Sequence, residues 1–313
     1  MFGPRRPRDL SPRPHPQAIR PQPQGRTPPA RRRQARPRAP HLPQTRPPEP
    51  PRAPERRPRS EAVIIRAMRL SVQLYTVRDA LAQDYVGTLK KLRDIGLEYV
   101  EGAGNYGGGT AEEGKKILDD LGLKASGSHV GIDALQKDLD TVIHTHKTLE
   151  CPFVIIPYLG ADDRDYAKLA ATVTPIGTRL KAEGLTLCYH NHDFEFVEVD
   201  GTTGLDLLYQ KTNPNLLQAE LDLAWVQIGG QDPAAYVRKY ATRTPLVHLK
   251  DFDPNATPRW RPGGQGIVDW DACLAACNEA NVQFGAIELD ESPGDPIDAV
   301  RQSFEFFKGK GLS

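Results

Sequence analysis

Residues 218–252 read QAELDLAWVQIGGQDPAAYVRKYATRTPLVHLKDF. Two short apolar runs, Gln218–Asp222 and Leu246–Lys250, flank a stretch with 3.6-residue apolar spacing over Pro233–Tyr240. Short apolar runs predict strands, and the spacing between them predicts a helix. Strand, helix, strand in that order predicts parallel strands joined by a right-handed crossover. Both strands end on chemically capable side chains: Asp222 on one, His248 and Lys250 on the other.

The same unit recurs on either side. Upstream, Leu70–Tyr75 precedes a helix at Ala80–Ile95 closed by Gly96, and Glu98–Glu101 precedes a glycine loop and a helix at Ala111–Leu121. Thr110 caps that helix and Gly122 ends it. Lys124–Ser128 leads to a helix from Ile132 to Leu149, Phe153–Pro157 to Tyr166–Ala182, and Thr186–Asn191 to Leu205–Lys211. Downstream, Trp270–Ala280 is the helix after strand seven, and Gln283–Leu289 with Pro296–Lys308 makes the last unit. Eight units in about 245 residues match a closed (β/α)8 TIM barrel, typically ~250 residues. The alternative is an open doubly wound sheet, which has fewer strands and a nucleotide site after the first.

Ahead of the barrel the composition changes. Residues 1–60 hold 18 Pro, 16 Arg, no Lys and three acids, a net charge of +13, whereas 61–313 hold 25 Lys+Arg against 37 Asp+Glu, a net −12. Proline removes backbone donors and arginines repel one another, so residues 1–67 are expected to be a disordered tail without a core. A basic arm for nucleic acid is one reading. Such arms usually mix Lys with Arg, and Met68 stands immediately before the first strand. The second reading therefore makes Met68 the natural start of a 68–313 catalytic domain. The four cysteines, Cys151, Cys188, Cys273 and Cys277, form no C-x-x-C pair, which excludes a zinc finger and suits a reducing, cytoplasmic setting. No apolar run reaches membrane-spanning length, and no apolar leader precedes the barrel. Cys273 and Cys277 are read as reduced core residues, and His144 and His146 as solvated.

Gly102-Ala-Gly104-Asn-Tyr-Gly107 matches a dinucleotide-binding fingerprint. That fingerprint needs a helix opening inside the motif to hold a pyrophosphate. Here the helix opens only after Thr110, so a flexible substrate loop is the better reading.

The remaining chemistry sits at strand ends, which converge on one mouth in a barrel. They carry Glu101 (strand two), His129 (after strand three), His190, Asn191 and His192 with Glu195 beyond (strand five), Asp222 (six), His248 and Lys250 (seven) and Glu288 (eight). Desolvating so many polar groups is costly without a ligand or metal. Imidazoles with carboxylates make a divalent-metal set.

Taken together, Ser71-Val-Gln-Leu-Tyr, Glu220-Leu-Asp222-Leu-Ala-Trp225, His248-Leu-Lys250-Asp251, Gly264-Gln-Gly266-Ile-Val-Asp269-Trp270 and Ile287-Glu288 resemble the xylose isomerase-like TIM-barrel family. This group of sugar phosphate isomerases and epimerases also contains inosose dehydratases. The likeness runs over about 69–308. It implies one divalent ion held by Glu, Asp, His and Glu on strands five to eight. Asp222, His248 and Glu288 match, but strand five carries His190 where Glu is expected. Two imidazoles shift preference from Mg2+ toward Mn2+, Co2+ or Zn2+. The resemblance places Glu101, His129, Glu195 and Lys250 against the substrate, and Trp225, which follows the strand-six motif, is a further substrate-binding candidate. Trp225 and Trp270 either wall the pocket or pack beneath it.

The implied chemistry is an enediolate formed from a sugar or cyclitol, with Glu288, His192, Glu195 and His129 as the acid–base candidates. Returning the proton gives isomerisation or epimerisation, and losing a β-hydroxyl gives dehydration. An abasic-site endonuclease would need a basic groove, which the −12 charge of 61–313 opposes. A non-enzymatic sugar-binding barrel is the third reading. The expected partner is a small-molecule substrate, without nucleic acid or membrane, in a chain that forms a monomer or a homo-oligomer.

Overall fold

The computed structural model describes residues 68–313 except Asn105 and Gly108; the tail expected at 1–67 lies outside the described residues. Eight parallel strands form the centre: β1 (Arg69–Val72), β2 (Tyr99–Ala103), β3 (Lys124–His129), β4 (Phe153–Ile156), β5 (Thr186–His190), β6 (Gln218–Asp222), β7 (Leu246–Leu249) and β8 (Phe284–Ile287). Their order around the sheet is β1-β8-β7-β6-β5-β4-β3-β2. A parallel bridge between Gln73 and Glu101 brings the two ends together. This is the TIM barrel that the repeated units predict.

Strand alternation divides the core in two. Val154, Ile156, Leu187, Tyr189, Val247 and Leu249 belong to the large cluster between strands and helices, whereas Phe153, Ile155, Cys188, Leu246 and Phe284 form a smaller separate cluster. Successive side chains point to opposite faces, so the second set plugs the barrel interior. Toward the strand C-terminal ends the inward positions become polar. Ser71, Gln73, Glu101, His190, Glu220, Asp222, His248, Lys250 and Glu288 are all buried there.

Two helices expected to be continuous are broken. Arg78–Gln83 and Tyr85–Ile95 meet at Asp84, whose side chain accepts the backbone N–H of Gly87. Ile132–Lys137 and Leu139–Thr148 meet at Asp138, which caps Thr141 in the same way. Aspartate gains more as a cap than inside a helix. The helix Ala111–Leu121 opens with a capping box between Thr110 and Glu113 and closes on Gly122 at φ +66°. The box takes up the Thr110 and Glu113 N–H groups and puts the Glu113 carboxylate at the helix start, which opposes a pyrophosphate there. His146 corrects an expectation: it is buried, with Nδ1 2.8 Å from the Val142 carbonyl. Cys273 and Cys277 are free and buried, as expected. Among the described residues no helix is long and apolar enough to cross a membrane.

The loop after β7 is held by one carboxylate. Asp251 accepts the backbone N–H groups of Gly264 (2.9 Å), Gly266 (3.1 Å) and Val268 (3.2 Å) and the Trp270 indole N–H (2.9 Å). A Cβ on Gly266 would lie 2.1 Å from Asp251 Oδ1. The Gly264-Gln-Gly266 signature is therefore a structural clasp, and Trp270 packs edge-on against Phe307 and does not line the cavity at the strand C-terminal ends.

Candidate active site

A cavity of about 480 Å3 opens among the strand C-terminal ends, lined by Tyr75, His129, Tyr158, His190, His192, Glu288 and Asp290 among others. A cavity of similar size, about 470 Å3, lies among the strand starts and is lined by Arg69, Lys124, Phe153 and Phe284. Its lining contains no histidine, whereas the first cavity gathers imidazoles and carboxylates at the barrel end where TIM-barrel sites lie.

The polar groups around the mouth form two linked networks. In the outer one, Lys250 is buried, with Nζ 2.8 Å from Asp290, 2.9 Å from Glu288 and 3.2 Å from Asp222. Its charge also lies over the Trp260 and Trp225 rings, 4.8 and 5.5 Å from their centroids. In the inner one, His248 Nδ1 is 2.7 Å from Glu288 while its Nε2 is 2.9 Å from Glu101. Gln73 donates to Glu101 at 2.7 Å. Glu220 Oε2 lies 3.0 Å from His129 Nε2, 3.1 Å from His190 Nδ1 and 3.2 Å from His248 Nε2.

These surroundings set the ionisation. Burial opposes the Glu288 carboxylate, but Lys250 and His248 outweigh it and hold its pKa well below the ordinary range. Burial likewise opposes the Lys250 ammonium, and Asp222, Glu288 and Asp290 together raise its pKa. Burial works against a charged His129, yet hydrogen bonds to Glu101 and Glu220 lift it to about 9. His192 is pushed the other way, to about 3, by burial and then by Lys250. Burial also depresses His190 and raises Glu220. Asp222 rises to about 6 through burial, partly offset by Lys250. Glu195 rises to about 7 through burial, although the Tyr189 hydroxyl (2.7 Å) and the His192 N–H (2.8 Å) donate to it.

Of the residues predicted from sequence, His129, His190, His192 and Glu288 face the cavity together. Glu195 is buried behind His192. Glu101 and Lys250 are committed to buried protein partners rather than lining the cavity, and Trp225 stands beside His192 at 5.4 Å between ring centroids. Sequence reasoning passed over Glu220. The available signal was its position two residues before Asp222, on the same strand face. Asp290, Gln73, Tyr75 and Tyr158 were also missed, lying on or beyond strand ends.

The donor set suits a divalent ion. Ligand atoms of His190, Asp222, His248 and Glu288 lie within 4.8 Å of one another, as do those of His129, His190, Glu220 and His248. Among the described residues Glu220 Oε1 is buried without a hydrogen-bond partner, and Asp222 Oδ2 is met only by the Lys250 ammonium, at 3.2 Å. Under-satisfied carboxylate oxygens beside imidazoles fit a group that could hold an ion.

Comparison with known proteins agrees with the geometry. The family model described as xylose isomerase-like TIM barrel matches residues 89–310. An inosose dehydratase of Clostridium perfringens is 30% identical over 168 residues, covering 48% of this chain and 56% of that protein. One of Bacillus anthracis is 30% identical over 167 residues, covering 47% and 55%. The chain thus spans about half the length of the curated relatives it matches. A solved sugar phosphate isomerase/epimerase of Parabacteroides distasonis superposes with a TM-score of 0.68 at 23% identity, over 78% of this chain and 94% of that one. An L-ribulose 3-epimerase structure gives 0.58 at 18% identity, over 78% and 94%. At these identities the structures establish a shared fold.

Proposed function

The chain belongs to the xylose isomerase-like TIM-barrel family, and on that premise we propose that it is an enzyme removing the proton α to the carbonyl of a keto-sugar or keto-cyclitol and returning it as an isomerase or epimerase. One observation carries this reading: a carboxylate held ionised, Glu288, and an imidazole held neutral, His192, face the same cavity. An ionised carboxylate accepts the α-proton and, once protonated, returns it to the neighbouring carbon, while a neutral imidazole relays the hydroxyl proton between the two oxygens; a proton for the other face would come from His129, whose pKa is raised to about 9. Glu195 accepts the backbone N–H of His192 and so fixes the turn that aims its ring.

His190, Asp222, His248 and Glu288 would hold a divalent ion at the mouth, and their nitrogen content favours Mn2+, Co2+ or Zn2+ over Mg2+. Such an ion supplies Lewis-acid stabilisation of enolate charge.

A second reading is dehydration, favoured by the 30% identity to proteins named inosose dehydratase. His129 lines the same cavity with its pKa raised to about 9, so at neutral pH it is an acid able to protonate a departing hydroxyl. We further place the protein in a reducing cytoplasm, in keeping with its four free, buried thiols.

The test is solvent exchange. Purified protein supplied with Mn2+ and a panel of ketohexoses and inososes in D2O should incorporate deuterium α to the carbonyl, followed by NMR. Product analysis then separates epimer from dehydrated enone. Absence of exchange on every member of the panel removes the proposal.

A further inference from the structure

Glu220 lies one inward step below Asp222 on β6, completely buried. Imidazole nitrogens from β3, β5 and the centre of β7 lie 3.0, 3.1 and 3.2 Å from its Oε2. The rings crowd one another, with His190 and His248 centroids 4.4 Å apart and His129 stacked on His248 at 5.6 Å. Three imidazoles converging on one oxygen exceed what its two lone pairs accept well. The other oxygen, Oε1, is buried without a hydrogen-bond partner. Among the described residues, no lysine or arginine reaches this carboxylate, whereas Lys250 already sits on Asp222 and Glu288 in the outer layer.

We propose a second divalent-cation site, one layer deeper than the strand-end set, formed by His129, His190, Glu220 and His248. It shares His190 and His248 with the outer set and does not depend on the reaction proposed above. Coordination bonds of ~2.0–2.2 Å place neighbouring ligand atoms ~3–3.5 Å apart, close to the spacing around Glu220 Oε2. Groups behind the ligands are arranged to hold them. With an ion in the deeper site, Glu288, 2.7 Å from His248 Nδ1, accepts that N–H and leaves the Nε2 lone pair directed inward; an ion in the outer set would take Nδ1 instead, so the two sites are alternatives for this imidazole. Gln73 anchors Glu101 at 2.7 Å, and Glu101 stands 2.9 Å from His248 Nε2 and 3.2 Å from His129 Nε2 as a further oxygen donor. Three nitrogens with one carboxylate select Zn2+ or Co2+ over the oxygen-preferring Mg2+. In the outer layer an incoming ion must displace the Lys250 ammonium, whereas in the deeper layer it must displace imidazole protons and, among the described residues, no ammonium or guanidinium.

Cobalt titration of the full-length protein, read by visible absorption and ion stoichiometry, tests this. Wild type should bind Co2+ with visible bands of a nitrogen-rich site. His129→Ala and Glu220→Gln should each weaken that binding at least tenfold, whereas Asp222→Asn should lower only the uptake that belongs to the outer set and leave the affinity read from the nitrogen-rich bands within twofold. His129 lies partly open to the cavity, so its variant decides the matter if Glu220→Gln fails to fold by circular dichroism. Loss of the bands in Asp222→Asn with retention in His129→Ala would leave only the outer site and overturn the inference. Equal losses in all three variants, or no bands in wild type, would overturn it as well. Deuterium exchange is scored separately, so a barren cobalt titration and a failed reaction are distinguishable.

Discussion

The ammonium of Lys250 lies 2.9 Å from a carboxylate oxygen of Glu288 inside the barrel mouth. Both groups are buried, so each depends on the other for its charge. The pairing keeps a deprotonated carboxylate at the cavity wall, and this links the packing of β7 to the chemistry of β8.

Replacing Lys250 by Met should break that link. Asp222 and Glu288 would be left as buried carboxylates without their cation, at a cost of ~3–5 kcal/mol. The Glu288 pKa should rise, so the acid limb of the exchange-rate profile moves to higher pH. Urea unfolding and the pH dependence of deuterium exchange check both. An unchanged acid limb would show that Glu288 is not the group titrating.

His192→Ala should leave the fold and bound metal near wild type while lowering exchange by ~10²-fold or more, the range of a general acid–base. Its Nδ1 is buried without a partner, so no internal hydrogen bond of that nitrogen is lost. Glu288→Gln should lower exchange at least as far. His190→Ala should weaken metal binding instead. If His192→Ala loses metal while His190→Ala keeps it, the two roles exchange.

Asp251→Ala should be strongly destabilising although the residue does not line the cavity. Four loop donors would lose their common acceptor, and hydrogen bonds to a charged group contribute ~1.5–3 kcal/mol each. A loss exceeding ~3 kcal/mol in denaturant unfolding is expected. A variant as stable as wild type would mean the clasp is dispensable.

His146 gives an acid-sensitive stability term far from the mouth. Burial lowers its pKa below the ordinary histidine value of 6.5, and its Nε2 has no partner among the described residues. Below about pH 6.5 the unfolded chain takes up a proton that the folded chain refuses, so stability falls as pH drops. The limiting slope is ~1.4 kcal/mol per pH unit. His146→Leu should show a shallower loss between pH 7.5 and 5.5 than wild type. Equal slopes in urea unfolding would show that His146 is protonated in the fold.

Much of the architecture could be read from the chain because strand and helix periods are local. Eight alternating segments, the Thr110 cap and the Gly122 stop all rest on neighbouring residues, and each recurs in the structure. The strand-end rule places His129, His190, His192 and Glu288 at one mouth, and all four line the cavity there. Asp84 and Asp138 escaped notice as helix breaks because an aspartate within an apolar period can serve either as a solvated side chain or as a cap.

What the chain alone determined was which residues lie on the inward faces and at which end of the barrel, since a two-residue repeat and a parallel crossover permit little else. Tertiary structure alone decided how those residues share their charges. Glu220 and Asp222 are two residues apart on one strand face, yet one meets three imidazoles and the other a lysine ammonium. Strand order and register decide that outcome, setting which residues of β3, β5, β7 and β8 stand at each level of the barrel. Coulomb and hydrogen-bond terms change over ångströms, and those distances exist only once the barrel has closed.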